Sequence, residues 1–173
     1  KNVGVSPTQG NILGKNVQYI AFEVEAGTIR RNQIAQETGN QDIQVRQGDL
    51  SIMSSVMAVA DSLLADGKPI ALLMNNAGTM WTHFQQTPDG LEYTVAVNYV
   101  APYLLSRKLL PLMQAGSRIV CMVSCTYAIG QITPEFFTRG KKGEFWRIPI
   151  YSNTKLALWL FVRKLALEVA SRG

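Results

Sequence analysis

A chain of 173 residues, 47% hydrophobic and 17% charged, can bury one sizeable core and is too apolar to be disordered. Its net charge of +5 comes from scattered lysines and arginines with no stripe of interleaved aromatics, so nucleic acid is not an expected partner. No uninterrupted apolar run approaches the ~18 residues of a membrane-spanning helix, and the first residues lack the apolar middle of a signal peptide.

Short β-type runs alternate with longer helix-type runs along the chain. VGVS (3–6) and VQYIAF (17–22) read as strands, the second closed by Glu23. A helix follows, with Gly39 as its stop. IQVRQGDLS runs from a strand into a loop, and Ser51 is the expected N-cap of a helix that stops at Gly67. IALLMNNAG opens after Pro69 as a strand apolar on both faces, which suits a buried parallel sheet. Beyond the turn Thr87-Pro88-Asp89-Gly90, LEYTVAVNYVAPYLLSRKLLPLM reads as a helix that Pro102 and Pro111 should kink or break. SRIVCMVS is a further buried strand. Cys121 and Cys125 are four apart in one apolar segment; as a strand it would put both on one face, too far apart for an easy disulfide, as two thiols of a reducing compartment. A loop rich in Gly, Pro and aromatics (Ile129 to Pro149) precedes a last helix over 152–171.

Strands separated by helices call for one α/β domain over 1–173, a doubly wound, Rossmann-like parallel sheet. In such sheets ligands bind beyond the carboxyl ends of the strands. The polar residues following the strands are Ser6 to Gly14, Glu23, Asp49, Asn75-Asn76-Ala77-Gly78 and Ser124, so they should gather along one edge. His83, the only histidine, has no Cys or carboxylate cluster around it and reads as a loop or substrate-pocket residue, with no metal site expected.

The ordered set NNAG (75–78), Asn98, Ser124 and YSNTK (151–155), with TPDGLEYTVAVN between the first two, resembles the short-chain dehydrogenase/reductase family. The match is best to its retinol dehydrogenase-like and sterol-ketone reductase members and covers roughly residues 17–173. The resemblance implies a nicotinamide-dependent interconversion of an alcohol and a carbonyl on a lipophilic sterol, steroid or retinoid. It makes Tyr151 the general acid/base, Lys155 its cationic neighbour and a ligand of the nicotinamide ribose, Ser124 a hydrogen-bond partner of the substrate oxygen, and Asn98 the anchor of a proton-relaying water. A free phenol titrates near pH 10, so such chemistry at neutrality needs a nearby cation, which YxxxK spacing puts one helical turn away. The aromatics Phe136, Phe137, Phe145 and Trp146 either line an apolar pocket or fold the loop onto the core.

The resemblance further implies a nucleotide site at Gly10, Gly14, Glu23, Asp49, Leu50, Asn76, Ala77 and Gly78, shared with Tyr151 and Lys155. Glu23 at the end of its strand tilts the cofactor toward NAD over NADP, with Arg30-Arg31 able to reach a phosphate. The family's TGxxxGIG turn is represented by VSPTQGNILGKN, with Pro7 at a glycine position, and only Lys15 and Asn16 separate Gly14 from the next strand. Two residues cannot make a parallel crossover. The chain therefore reads as incomplete there and after Gly173, either as a partial record of an active enzyme or as a non-catalytic interaction or assembly subunit that has lost cofactor binding. A cytoplasmic location or a peripheral one on an intracellular membrane is expected. Apolar faces over 91–113 and 155–169 would permit a homodimer.

Overall fold

In the computed structural model, which describes residues 16–138 and 145–170, the β-branched run after Asn16 forms strand β1 (Val17–Ala21). It pairs in parallel with β2 (Ile43–Gln47), in register from Val17 opposite Ile43 to Ala21 opposite Gln47. Helix α1 (Val24–Thr38) makes the crossover and stops at Gly39, whose φ of 71° is a left-handed conformation that glycine adopts freely. Ile34, Ala35 and Ile43 form the buried core of this part, with Val17 packed against them. Arg31 donates from Nε to the Ile43 carbonyl at 3.2 Å. That carbonyl lies at the amino end of β2, the end opposite the one that Glu23 follows on β1. Arg30 donates to Gln33 at 3.1 Å. Gly10, Gly14, the 3–6 strand and the first crossover lie outside the described residues.

The described residues divide into two compact units between Asp49 and Leu50. In the second, helix α2 (Met53–Asp66) buries Val56, Val59, Ala60 and Leu63 and stops at Gly67, φ 63°. Its N-cap is Ile52 rather than the expected Ser51, and no side chain of that position caps it. The carboxylate of Asp89 does so from a distance, accepting from the Met53 N–H at 2.9 Å. An acidic group at a helix N-terminus satisfies a free donor and suits the helix dipole, and a tertiary partner can supply it as well as a local one.

Strand β3 (Leu72–Asn75) pairs in parallel with β4 (Arg118–Cys121), Leu72 opposite Arg118 and Asn75 opposite Cys121. Leu72 is half-exposed, so β3 is not buried on both faces along its length. Between them runs a helical stretch in pieces: α3 (Tyr93–Val95), a π-helical turn (Ala96–Val100), α4 (Ala101–Leu109) and a closing 3-10 turn (Leu110–Leu112). The Ala101 N–H donates to the Ala96 carbonyl, five residues back. Pro102 has no N–H for the Asn98 carbonyl, and the ladder widens immediately ahead of it. The predicted irregularity is thus a wide turn centred on Asn98, while Pro111 sits in the closing turn.

β4 ends at Cys121, and Cys125 opens a separate 3-10 turn (Cys125–Ile129). The two cysteines therefore do not share a strand, and both are free thiols. Helix α5 (Arg147–Val169) begins five residues earlier than the sequence predicts. Pro149 lies in its first turn, where N–H groups have no intrahelical partner to lose. Tyr151 is accordingly one turn inside the helix. Phe136, Ile150, Val95 and Ala157 form one core cluster, with Phe145 packed against it, so these two loop aromatics serve the core. Phe137 and Trp146 remain exposed. Leu158, Phe161 and Leu165 form a second cluster beneath α5.

Candidate active site

Four of the predicted residues converge at the carboxyl end of β3 and β4. Lys155 projects from α5 and is 3% exposed. Its Nζ donates to the Met122 carbonyl at 2.8 Å, just past the end of β4. The same ammonium lies 5.4 Å from the centroid of the Tyr151 ring, one helical turn away. Burial pushes the Lys155 pKa down from its ordinary value, with the neighbouring Cys121 sulfur opposing that shift. Burial likewise raises the Cys121 thiol, partly offset by a hydrogen bond from Asn75 and by the charge of Lys155. A cation is therefore held at low exposure beside the phenol, with a carbonyl as its direct partner.

Gly78 supplies the bare side of this arrangement. A Cβ added there would stand 3.4 Å from Lys155 Nζ and 3.5 Å from Asn98 Oδ1. Asn98 itself is fully buried in the π-helical turn. Its Oδ1 accepts from the Thr79 N–H at 2.7 Å, while its Nδ2 donates to the Thr79 carbonyl at 2.7 Å and to the Thr154 hydroxyl at 3.2 Å. The amide thus reads the backbone after NNAG in both directions, as a neighbouring strand would. Asn76 and Ala77 precede this clamp and are half-buried. The first amide of the motif, Asn75, is tied inward, donating to Ser106 Oγ at 2.9 Å and to Cys121 Sγ at 3.4 Å.

Ser124 follows β4 two residues beyond the carbonyl that receives Lys155, half-buried at the head of the 3-10 turn. Its Oγ accepts from the Thr126 N–H at 3.4 Å and from the Thr126 hydroxyl at 3.1 Å. With its lone pairs so engaged, the hydroxyl retains its proton for donation to a ligand. Glu23 and Asp49 follow the paired carboxyl ends of β1 and β2 in the first unit, whereas Leu50 opens the second. His83 lies exposed, its ring 5.8 Å from that of Trp81, with Nδ1 at 3.2 Å from the Thr82 hydroxyl.

Several contributors escaped the sequence. Thr154, fully buried, accepts from Asn98 and donates its hydroxyl to the Tyr151 carbonyl at 2.7 Å. Asn153 accepts from the Gln131 N–H at 2.7 Å. Glu92, also fully buried, caps the helical stretch that carries Asn98, accepting from the Val95 N–H at 2.9 Å. Burial raises its pKa, against backbone hydrogen bonds at Thr94 and Val95 that lower it. The available signal was polarity where a helix turns an apolar face to the core: a buried Asn, Thr or Glu there requires a partner.

A family model described as short chain dehydrogenase matches residues 12–173. Human retinol dehydrogenase 11 is 34% identical over 163 residues, covering 92% of this chain and 50% of the relative. Mouse polyprenol dehydrogenase is 32% identical over 167 residues, 93% of this chain and 49% of the relative. The chain thus spans about half the length of the curated relatives it matches. Among solved structures, a metagenomic short-chain oxidoreductase in complex with NADP superposes with a TM-score of 0.71 at 25% identity, covering 95% of this chain and 69% of that one. A short-chain dehydrogenase from Sphingobium yanoikuyae in complex with NADPH gives 0.70 at 25% identity, covering 92% and 58%.

Proposed function

The chain belongs to the short-chain dehydrogenase family, and we propose that it carries the acid/base centre of an NAD(P)(H)-dependent oxidoreductase that interconverts an alcohol and a carbonyl on a lipophilic substrate. One observation carries this reading. The ammonium of Lys155 is buried, held by a backbone carbonyl, and placed beside the Tyr151 ring with a side-chain-free glycine on its flank.

The residues fit a nicotinamide nucleotide. Gly78 leaves the space next to Lys155 and Asn98 that a side chain would fill. Asn76, Ala77 and Gly78 follow the carboxyl end of β3, the edge at which parallel sheets receive nucleotides. When bound, the nicotinamide supplies or accepts the hydride. Tyr151 gives its phenolic proton to the carbonyl oxygen during reduction and takes it back from the alcohol during oxidation. Lys155 holds its ammonium beside the phenol ring that carries this proton. Ser124 donates its hydroxyl proton to the same oxygen and holds it in place. Both Nδ2 hydrogens of Asn98 are engaged by Thr79 and Thr154, so any water in a proton relay is held through its backbone carbonyl.

The lipophilic substrate class is supported by the names of the relatives and by apolar groups beside the site. Met122 and Val123 directly precede Ser124 and are exposed, as are Ile129, Ile132 and Trp146. Glu23 at the end of β1 supports NAD(H) over NADP(H). Among the described residues no helix is long and apolar enough to cross a membrane. A cytoplasmic or peripheral membrane location, and a homodimer, remain part of the proposal. The test is calorimetric titration of the full-length protein with NADH and NADPH, followed by turnover assays on retinoid, polyprenoid and steroid carbonyls. Micromolar nucleotide binding with turnover of one of them is expected. No binding of either nucleotide would favour a non-catalytic interaction subunit.

A further inference from the structure

Of the residues between Tyr151 and Lys155, Thr154 bonds Asn98 and the Tyr151 carbonyl, while Asn153 grips the segment that leads back to Ser124. Its side chain is 4% exposed, and Oδ1 accepts from the Gln131 N–H at 2.7 Å. Gln131 lies two residues past the 3-10 turn whose head is Ser124. Between them stands Gly130, with an ordinary φ of −70°. Glycine is needed there for closeness: an added Cβ would lie 2.6 Å from the Ser152 carbonyl oxygen and 2.8 Å from Leu156 Cβ. Such distances leave no room for a side chain unless helix backbone moves. Within the turn itself, Tyr127 stacks on Trp159 of α5, centroids 5.3 Å apart and planes 14° from parallel.

The turn is therefore fastened to α5 at its middle and at its end, while its head carries Ser124. α5 carries Tyr151 two residues before Asn153. An asparagine inside a helix is a poorer helix former than alanine. Here its carbonyl oxygen serves a backbone N–H outside the helix, which no aliphatic residue could do.

We infer that Asn153 is a positioning residue, which through Gln131 and the bare Gly130 sets the spacing between the Ser124 and Tyr151 hydroxyls that share the substrate oxygen. This rests on the acid/base reading above. A displacement of one ångström at such a pair costs about a hundredfold in rate, so the clamp should act on turnover far more than on nucleotide affinity.

The test uses the full-length protein with Asn153→Leu, which keeps volume and removes the acceptor, and Asn153→Asp, which restores an acceptor oxygen. Asn153→Ala stands in if the leucine variant does not fold. Hydrogen exchange at the Gln131 amide, kcat, and nucleotide affinity are measured for each. Asn153→Leu should speed Gln131 exchange about tenfold, the loss of one hydrogen bond. It should also lower kcat roughly 10- to 100-fold and leave nucleotide affinity within about threefold, and Asn153→Asp should recover most of both losses. Unchanged Gln131 exchange, or full kcat despite lost protection, would overturn the inference. So would a kcat loss that aspartate fails to rescue. A wild-type protein without turnover would instead sink the acid/base reading, and the exchange arm would then judge the clamp on its own.

Discussion

Replacing Asn98 by leucine removes a buried amide while keeping its volume, and its cost can be worked from three hydrogen bonds. Oδ1 loses the Thr79 N–H at 2.7 Å, and Nδ2 loses the Thr79 carbonyl at 2.7 Å and the Thr154 hydroxyl at 3.2 Å. Each bond contributes about 1 kcal/mol net, and a partner stranded away from water costs about 1–3 kcal/mol. Thr79 is half-buried, so its backbone groups recover some hydration. Thr154 is fully buried but still donates to the Tyr151 carbonyl at 2.7 Å. The sum is a loss of about 3 kcal/mol. Urea unfolding of wild type and variant, compared at equal slope, reads it directly. Thr154→Val breaks one of the three bonds and also the Thr154 bond to the Tyr151 carbonyl, and should cost about 2 kcal/mol. A loss below ~1 kcal/mol for Asn98→Leu would refute the claim that this amide secures the backbone beyond NNAG.

Other perturbations follow from single contacts. Asp89→Ala removes the carboxylate that caps α2 at the Met53 N–H and should lower stability by about 1 kcal/mol in the same assay. Gly130→Ala drives a methyl group into the Ser152 carbonyl and should cost about 1–3 kcal/mol, since a helix backbone yields little. Glu92 has a folded pKa raised above its ordinary value of 4.5. The folded state therefore binds more protons than the unfolded one as pH climbs from that value, and stability falls as pH rises through the folded pKa. Glu92→Gln should flatten that decline in a set of unfolding curves from acid to neutral pH. A decline of equal slope in both proteins would place its cause elsewhere.

The alternation of strands and helices was legible because apolar runs, glycine stops and β-branched segments are local signals. Gly39 and Gly67 were both read as stops, and both adopt the left-handed conformation that ends a helix. Asn98, Ser124, Tyr151 and Lys155 were legible as an ordered set; in the structure Lys155 lies beside the Tyr151 ring, and Asn98 joins Tyr151 through Thr154. What sequence reading missed depended on partners distant in the chain. Ser51 looks like a cap, yet the cap is Asp89 in a turn 36 residues beyond the helix start. Pro149 looks like a barrier before the last helix, but a first turn accepts proline. Pro102 announced an irregularity, but only the fold showed that the wide turn falls on Asn98.

The most direct test of the acid/base centre is single-turnover hydride transfer in the full-length protein, wild type against Tyr151→Phe, with nucleotide affinity measured alongside. The phenylalanine ring keeps the packing beside Lys155 and loses only the hydroxyl. Transfer should slow by roughly 10²- to 10⁴-fold, with nucleotide affinity changed by less than about threefold because the ring and Lys155 stay in place. Transfer at the wild-type rate would contradict the assignment of Tyr151 as the proton donor.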